Sequence, residues 1–280
     1  MHTMKKLLSL SLVTALLFTG GLFSSPASAK TAKVFLGSVA MDTPAEMVKR
    51  FKPLTDYLSQ KTGLAVSFRP SDNMGDAISD IGNNVVQISY LTPVAYIDAK
   101  KKYDIKPLVE TQTLGESAFR LVVAVRDDSP LKTMSDLKGK TFAFGDKRAL
   151  LQRAAVIDGG IKLEEFSKYA FLDHYDVIAN AVLNKEYDAG ILKESVYVDF
   201  RSKGLRILHS SPDLPPYLFA VSSKTPKATA EKLRKAFVSL KADSPKHNAI
   251  LKALDKGYTG FANAGDKDYD VVRRLVAPLR

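Results

Sequence analysis

Phe142 to Val156 reads FAFGDKRALLQRAAV, and its residue types suit the capture of an anion. An apolar strand meets a turn at Gly145 and Asp146, and the pattern predicts a helix opening with Lys147 and Arg148. The first turn of a helix leaves backbone N–H groups without intrahelical partners and carries the positive end of the helix dipole. Placed after a strand, such a start is a seat for a phosphate, sulfonate or carboxylate group. Lys147 and Arg148 would add charge to it. The plainer reading makes them solvated turn residues, with Leu150 and Leu151 facing a core.

Other chemistry is scarce. Histidine occurs only at 2, 174, 209 and 247, without metal-ligand spacing. There is no cysteine, hence no disulfide framework, thiolate metal site or cysteine nucleophile. A G-x-S-x-G elbow and both Gly-rich nucleotide fingerprints are missing. Adjacent carboxylates such as Glu164 and Glu165 sit in a charged helical stretch and read as a solvated face. No catalytic constellation nominates itself, so the chain is expected not to be an enzyme and to need no cofactor or metal.

The elements that would position such a site begin after a leader. Lys5 and Lys6 precede an apolar run from Leu7 to Phe23, and SSPASAK offers small residues at Ala27 and Ala29, the pattern of a secretory signal peptide cleaved after Ala29. The 280 residues less these 29 leave 251, enough for two lobes. Loss of Lys5 and Lys6 takes the formal charge from +11 to +9. Export to the periplasm turns that excess away from nucleic acid and toward small anions.

Short apolar runs then alternate with amphipathic helical segments: KVFLGSV before EMVKRFKPLTDYLSQKTG, AVSFRP before MGDAISDIG, VVQISYL before PVAYIDAKKK. This alternation predicts α/β lobes, each a doubly wound, mostly parallel sheet. The first lobe is expected at 30–120 plus 222–280 and the second at 121–221, with hinge crossings near Phe119–Arg126 and Tyr217–Val221. The C-terminal stretch shows helix signals alone, read as helices that return to cover the first lobe. Ligands of such folds sit in the cleft at the carboxyl ends of strands.

Five stretches in order carry a family resemblance: FKPLTDYLSQKTGLAV, RDDSPLKTMSDLKGKTFAFGD, NAVLNKEYDAG, SSPDLPPY and DKDYDVVRRL. The chain resembles the phosphate/phosphite/phosphonate-binding proteins of ABC importers, the PhnD-like periplasmic solute-binding proteins. The resemblance implies a two-lobed, type II-like periplasmic-binding-protein fold that closes over a small-molecule ligand. It also implies a monomer that docks transiently on an inner-membrane ABC permease.

At the ligand-gripping positions the sequence departs from that family. Where the family carries a Ser-Thr-Ser run after the Gly-Asp turn, Ala149, Leu150 and Leu151 stand here. The family's histidine aligns to Tyr175, with His174 one place earlier, and its glutamate to Ser195, with Glu194 one place earlier. Two family tyrosines align to Asn73 and Phe119, and an aspartate to Tyr217. With Ser38 at the end of the first strand, Thr92 as a helix cap, and Arg120, Lys147 and Arg148 as cations, these are the candidate ligand contacts. The expected ligand is a small anion, phosphonate-like or an exchanged carboxylate or sulfonate. A periplasmic sensory module built on the same cleft is the alternative.

Overall fold

The computed structural model describes residues 32–147 and 149–280; the expected leader, its cleavage site and Arg148 lie outside the described residues. In chain order the first part is β1 (Lys33–Ser38), α1 (Pro44–Thr62), β2 (Ala65–Phe68), α2 (Met74–Gly82), β3 (Ile88–Leu91), α3 (Pro93–Lys102) and β4 (Ile105–Thr113). The second is β5 (Leu121–Arg126), β6 (Thr141–Phe144), α4 (Leu150–Asp158), β7 (Lys168–Phe171), α5 (Tyr175–Leu183), β8 (Ala189–Lys193), α6 (Glu194–Arg201) and β9 (Leu205–Ser210). The last is β10 (Leu218–Ser222), α7 (Lys227–Val238), α8 (Pro245–Leu254), β11 (Tyr258–Asn263) and α9 (Asp270–Val276).

Local chemistry explains the long first helix. Thr43 caps it by accepting the Glu46 N–H, Pro44 supplies a preset φ at its start, and Gly63 ends it at φ 71°. Tyr57, Phe51 and Leu58 then face a core shared with α7 and α8.

Two sheets result, of order β11-β4-β10-β3-β1-β2 and β7-β6-β8-β5-β9. Both are mixed, which corrects the expectation of mostly parallel lobes. β1 runs parallel to β2 and β3, whereas β10 is antiparallel to β3 and β4, and β11 to β4. In the second sheet β6 is parallel to β7 and β8, while β5 is antiparallel to β8 and β9. β5 and β10 are the strands that enter a sheet from the other one, and they enter in the reverse sense. Both are fully buried but for one end of β5, so they are as apolar as buried parallel strands and composition cannot reveal their direction.

The same burial misplaced the hinges. LVVAV and LFAV are apolar because they are central strands; the segments between sheets lie upstream of each, at 114–120 and 211–217. Phe119 and Leu214 pair there, each donating its N–H to the other's carbonyl at 3.0 and 2.9 Å. β10 therefore belongs to the first sheet, although the sequence grouped 218–221 with the second lobe.

The C-terminal stretch also differs from expectation. It contributes the edge strand β11, whose alternation is broken by Gly260 at a register shift. α7 and α8 pack on α1, but α9 packs between α3 of the first part and α4 of the second. One apolar core consequently runs from Ile81 and Tyr96 through Val272 and Leu275 to Ala154 and Phe142.

Candidate functional site

Each parallel strand delivers a helix start at its carboxyl end, α1, α2 and α3 from one sheet and α4, α5 and α6 from the other. In the first set the predicted residues are occupied as structural groups. Ser38 is buried and donates its Oγ–H to the Val39 carbonyl at 2.8 Å. Asn73 caps α2, its Oδ1 accepting the Asp76 N–H at 3.0 Å while its Nδ2 donates to the Asp76 carboxylate at 2.6 Å. Thr92 caps α3 by accepting the Ala95 N–H at 3.0 Å. Asn73 and Thr92 thus fix where α2 and α3 begin.

In the second set the turn after β6 is longer than the sequence suggested. The helix opens at Leu150, not at Lys147 and Arg148, because the Ala149 N–H is taken by the Asp146 carbonyl at 2.8 Å in a closed turn. Ala149 is the N-cap and offers no side-chain oxygen to the amides behind it. Lys147 is exposed and makes no ion pair among the described residues. Leu150 is half-buried against the core, and Leu151 is inside it.

Gln152, absent from the sequence-based candidates, organises this turn. It is buried; its Oε1 accepts the Gly145 N–H at 2.8 Å and its Nε2 donates to the Tyr175 hydroxyl at 3.1 Å. A Cβ at residue 145 would stand 2.7 Å from the Gln152 Nε2, so this approach requires glycine. Since the backbone amide can only donate, the amide orientation of Gln152 follows, and with it the direction of the bond to Tyr175.

His174 and Tyr175 part company. Asp173 in the left-handed region (φ 62°) turns the chain so that His174 caps α5 with an exposed ring and no cap bond, while Tyr175 points inward. Burial pushes the Tyr175 hydroxyl up to about 12, with Gln152 acting the other way and Tyr217 adding to the rise. Tyr217 is also raised, by burial first and then by Asp255 and Asp146. Its ring stacks on Tyr90, with centroids 5.2 Å apart, and Tyr90 shares a hydroxyl contact with Tyr258. Tyrosines from α5, the second crossing and β3 thus come together. Tyr90 is the next-to-last residue of β3, two residues before the Thr92 cap, a position that could have nominated it.

The remaining candidates form their own cluster at the crossings. The Arg120 Nε donates to Asp213 at 2.7 Å, and its Nη1 lies 3.4 Å from both Glu194 oxygens. The Glu194 N–H is held by the Arg120 carbonyl at 3.0 Å, and the Lys193 ammonium lies 5.6 Å from the Phe119 ring centroid. Arg120, read from sequence as a cation for the ligand, is matched by two carboxylates and ties the first crossing to α6. Among the described residues no group of three or more His, Asp or Glu side chains is arranged to hold a metal ion.

The family model of the ABC transporter, phosphonate, periplasmic substrate-binding protein matches residues 36–269. The chain belongs to this family. Solved structures similar to this phosphonate-binding-family protein share its fold at low identity. XAC2383 from Xanthomonas citri, bound to ATP, is 21% identical with a TM-score of 0.70, covering 88% of this chain and 96% of its own. PhnD1 from Prochlorococcus marinus, in complex with methylphosphonate, is 18% identical with a TM-score of 0.67, covering 88% and 98%. A binding protein component of an ABC phosphonate transporter from Pseudomonas aeruginosa is 17% identical with a TM-score of 0.62, covering 88% and 86%. The two-lobed α/β architecture read from the sequence is the architecture of these proteins. In this family member the turn after β6 and the start of α5 are linked through Gln152, with leucines at the start of α4.

Proposed function

We propose that this protein is exported to the periplasm, its leader cleaved after Ala29, and delivers a small anion with an apolar body to an inner-membrane permease as a monomer. The ligand is held between the start of α4 and the tyrosines of α5 and the second crossing. The observation that carries this reading is the direction of the Gln152–Tyr175 bond. Gln152 donates to the Tyr175 oxygen, which leaves the Tyr175 proton free to be donated. The Tyr217 hydroxyl has no hydrogen-bond partner among the described residues. Both phenols are raised above their ordinary range, so at neutral pH both are uncharged donors.

Two phenolic donors, the backbone N–H groups at the start of α4 and the free charge of Lys147 suit one anionic head. Leu150 and the tyrosine rings suit an apolar body beside it. This favours a carboxylate, sulfonate or alkylphosphonate over inorganic phosphate, which presents oxygen on every side and would strand its remaining acceptors against leucine.

A thermal-shift screen of the protein against phosphate, phosphite, alkylphosphonates, sulfonates, carboxylates and amino acids tests this. A ligand at about a thousand times its Kd adds about 4 kcal/mol of stability and raises Tm clearly. Tyr175→Phe should then weaken the best ligand about tenfold or more, the loss of one hydrogen bond to a charged group. No shift with any anion, or Y175F and Y217F proteins that bind as tightly as the unaltered one, would remove the tyrosines from the site.

A further inference from the structure

Away from the facing tyrosines, a cavity of about 300 Å³ opens where the chain passes between the sheets. Its wall takes Glu110 from β4, Ser117 from the first crossing, Asp213 and Leu214 from the second, and Asp268 from the segment leading to α9. Three carboxylates thus gather at one place in a chain of formal charge +11. Two have partners: Asp213 receives Arg120, itself shared with Glu194, and Asp268 accepts the Gly265 N–H at 2.6 Å.

Glu110 has no charged partner. It is 7% exposed and forms no ion pair among the described residues; the Ser117 hydroxyl donates to its carboxylate, and its Oε2 has no hydrogen-bond partner. The fully buried Tyr269, whose hydroxyl is likewise unpartnered, holds its proton more tightly through burial first and then through the nearby Glu110 charge. A buried carboxylate is strongly disfavoured unless a cation faces it. Arg120, the cation at this wall, is committed to Asp213 and Glu194 rather than to Glu110.

The spacing selects the kind of cation. A metal ion needs several oxygens converging within about 2.0–2.6 Å, and no three acidic or histidine side chains among the described residues are so arranged. An ammonium spans longer bonds of about 2.8 Å to separate acceptors, and an alkyl stem can lie on Leu214. We propose that this cavity is a site for a small primary ammonium, with Glu110 as its counter-ion and the Ser117 hydroxyl and Asp268 as further acceptors. Because both crossings and the segment leading to α9 line it, its occupant would touch all three.

Isothermal titration of the purified protein at pH 8.5 with methylammonium chloride, against potassium and tetramethylammonium chlorides at equal ionic strength, decides the matter. Saturable methylammonium binding is expected. Glu110→Gln should weaken it at least about tenfold, the value of one charge-assisted bond, and Asp268→Asn by a smaller factor. Tetramethylammonium, which has no N–H, should not bind. The proposal falls if methylammonium gives no saturable heat, if all three salts act alike, or if the E110Q protein binds as the unaltered protein does. Should E110Q fail to fold, as judged by circular dichroism, unchanged binding by D268N and Ser117→Ala proteins together would overturn it. None of these outcomes depends on what the ligand site proposed at the tyrosines takes.

Discussion

Glu110 has a consequence for stability whatever binds beside it. Burial raises its carboxyl to about 7 from an ordinary 4.5, with the Ser117 hydroxyl opposing the shift and Asp268 adding to it. Between those values the folded protein holds the proton more tightly than the unfolded chain does. The favourable contribution is therefore full below about pH 4.5, is lost as pH rises through 7, and is flat above. The swing is on the order of 3 kcal/mol. In urea melts from pH 5 to pH 8.5 the E110Q protein, which lacks the titrating group, should gain stability on the unaltered protein by that order; a constant gap would show that the carboxyl is ordinarily hydrated. Nothing in the sequence marks this residue, since LVETQT reads as a strand with an exposed acid. Tyr175 and Leu150 entered the sequence reading because the family resemblance aligns ligand positions onto them. Gln152 was not, because one polar residue within ALLQRAAV looks like the solvent face of a helix.

At the scale of elements, the alternation of apolar runs and amphipathic helices placed most helices and strands, and the Thr92 cap placed the start of α3. What it missed was direction and termination. β5 and β10 are antiparallel because of where the chain comes from, which no local pattern records. The start of α4 was read too early because Lys147 and Arg148 look helical, while the closing bond from Ala149 to Asp146 depends on a turn that Gln152 stabilises from three residues beyond its end. That dependence is testable. Gln152→Leu keeps the volume but leaves the buried Gly145 N–H without an acceptor and Tyr175 without its tether. It should cost about 1–3 kcal/mol in denaturant melts, whereas Y175F, which keeps the Gly145 bond, should cost about 1 kcal/mol or less. Equal losses would mean that the turn holds itself closed without Gln152.

At the scale of the molecule, two lobes with two crossings describe the sheets but not the core. DYDVVRRLV announces an amphipathic helix without saying what it covers, and α9 covers elements of both parts. Its Val272 and Leu275 sit in the core that also holds Tyr96 of α3 and Ala154 of α4, and Arg274 reaches Asp158 of α4 at 2.7 Å. The ion pair is largely exposed on the arginine side and contributes at most about 1 kcal/mol, so the apolar contacts carry the connection. A shared core makes the two parts one cooperative unit even though their sheets are separate. Thermal unfolding followed by far-ultraviolet and near-ultraviolet circular dichroism should accordingly give one coincident transition. Leu275→Ala, which opens a cavity in the shared core, should lower stability by about 2–5 kcal/mol. Arg274→Ala should cost about 1 kcal/mol or less. If the unaltered protein melts in two steps, or if L275A lowers only one of them, α9 belongs to a single lobe and the linkage between the parts rests on the two crossings alone.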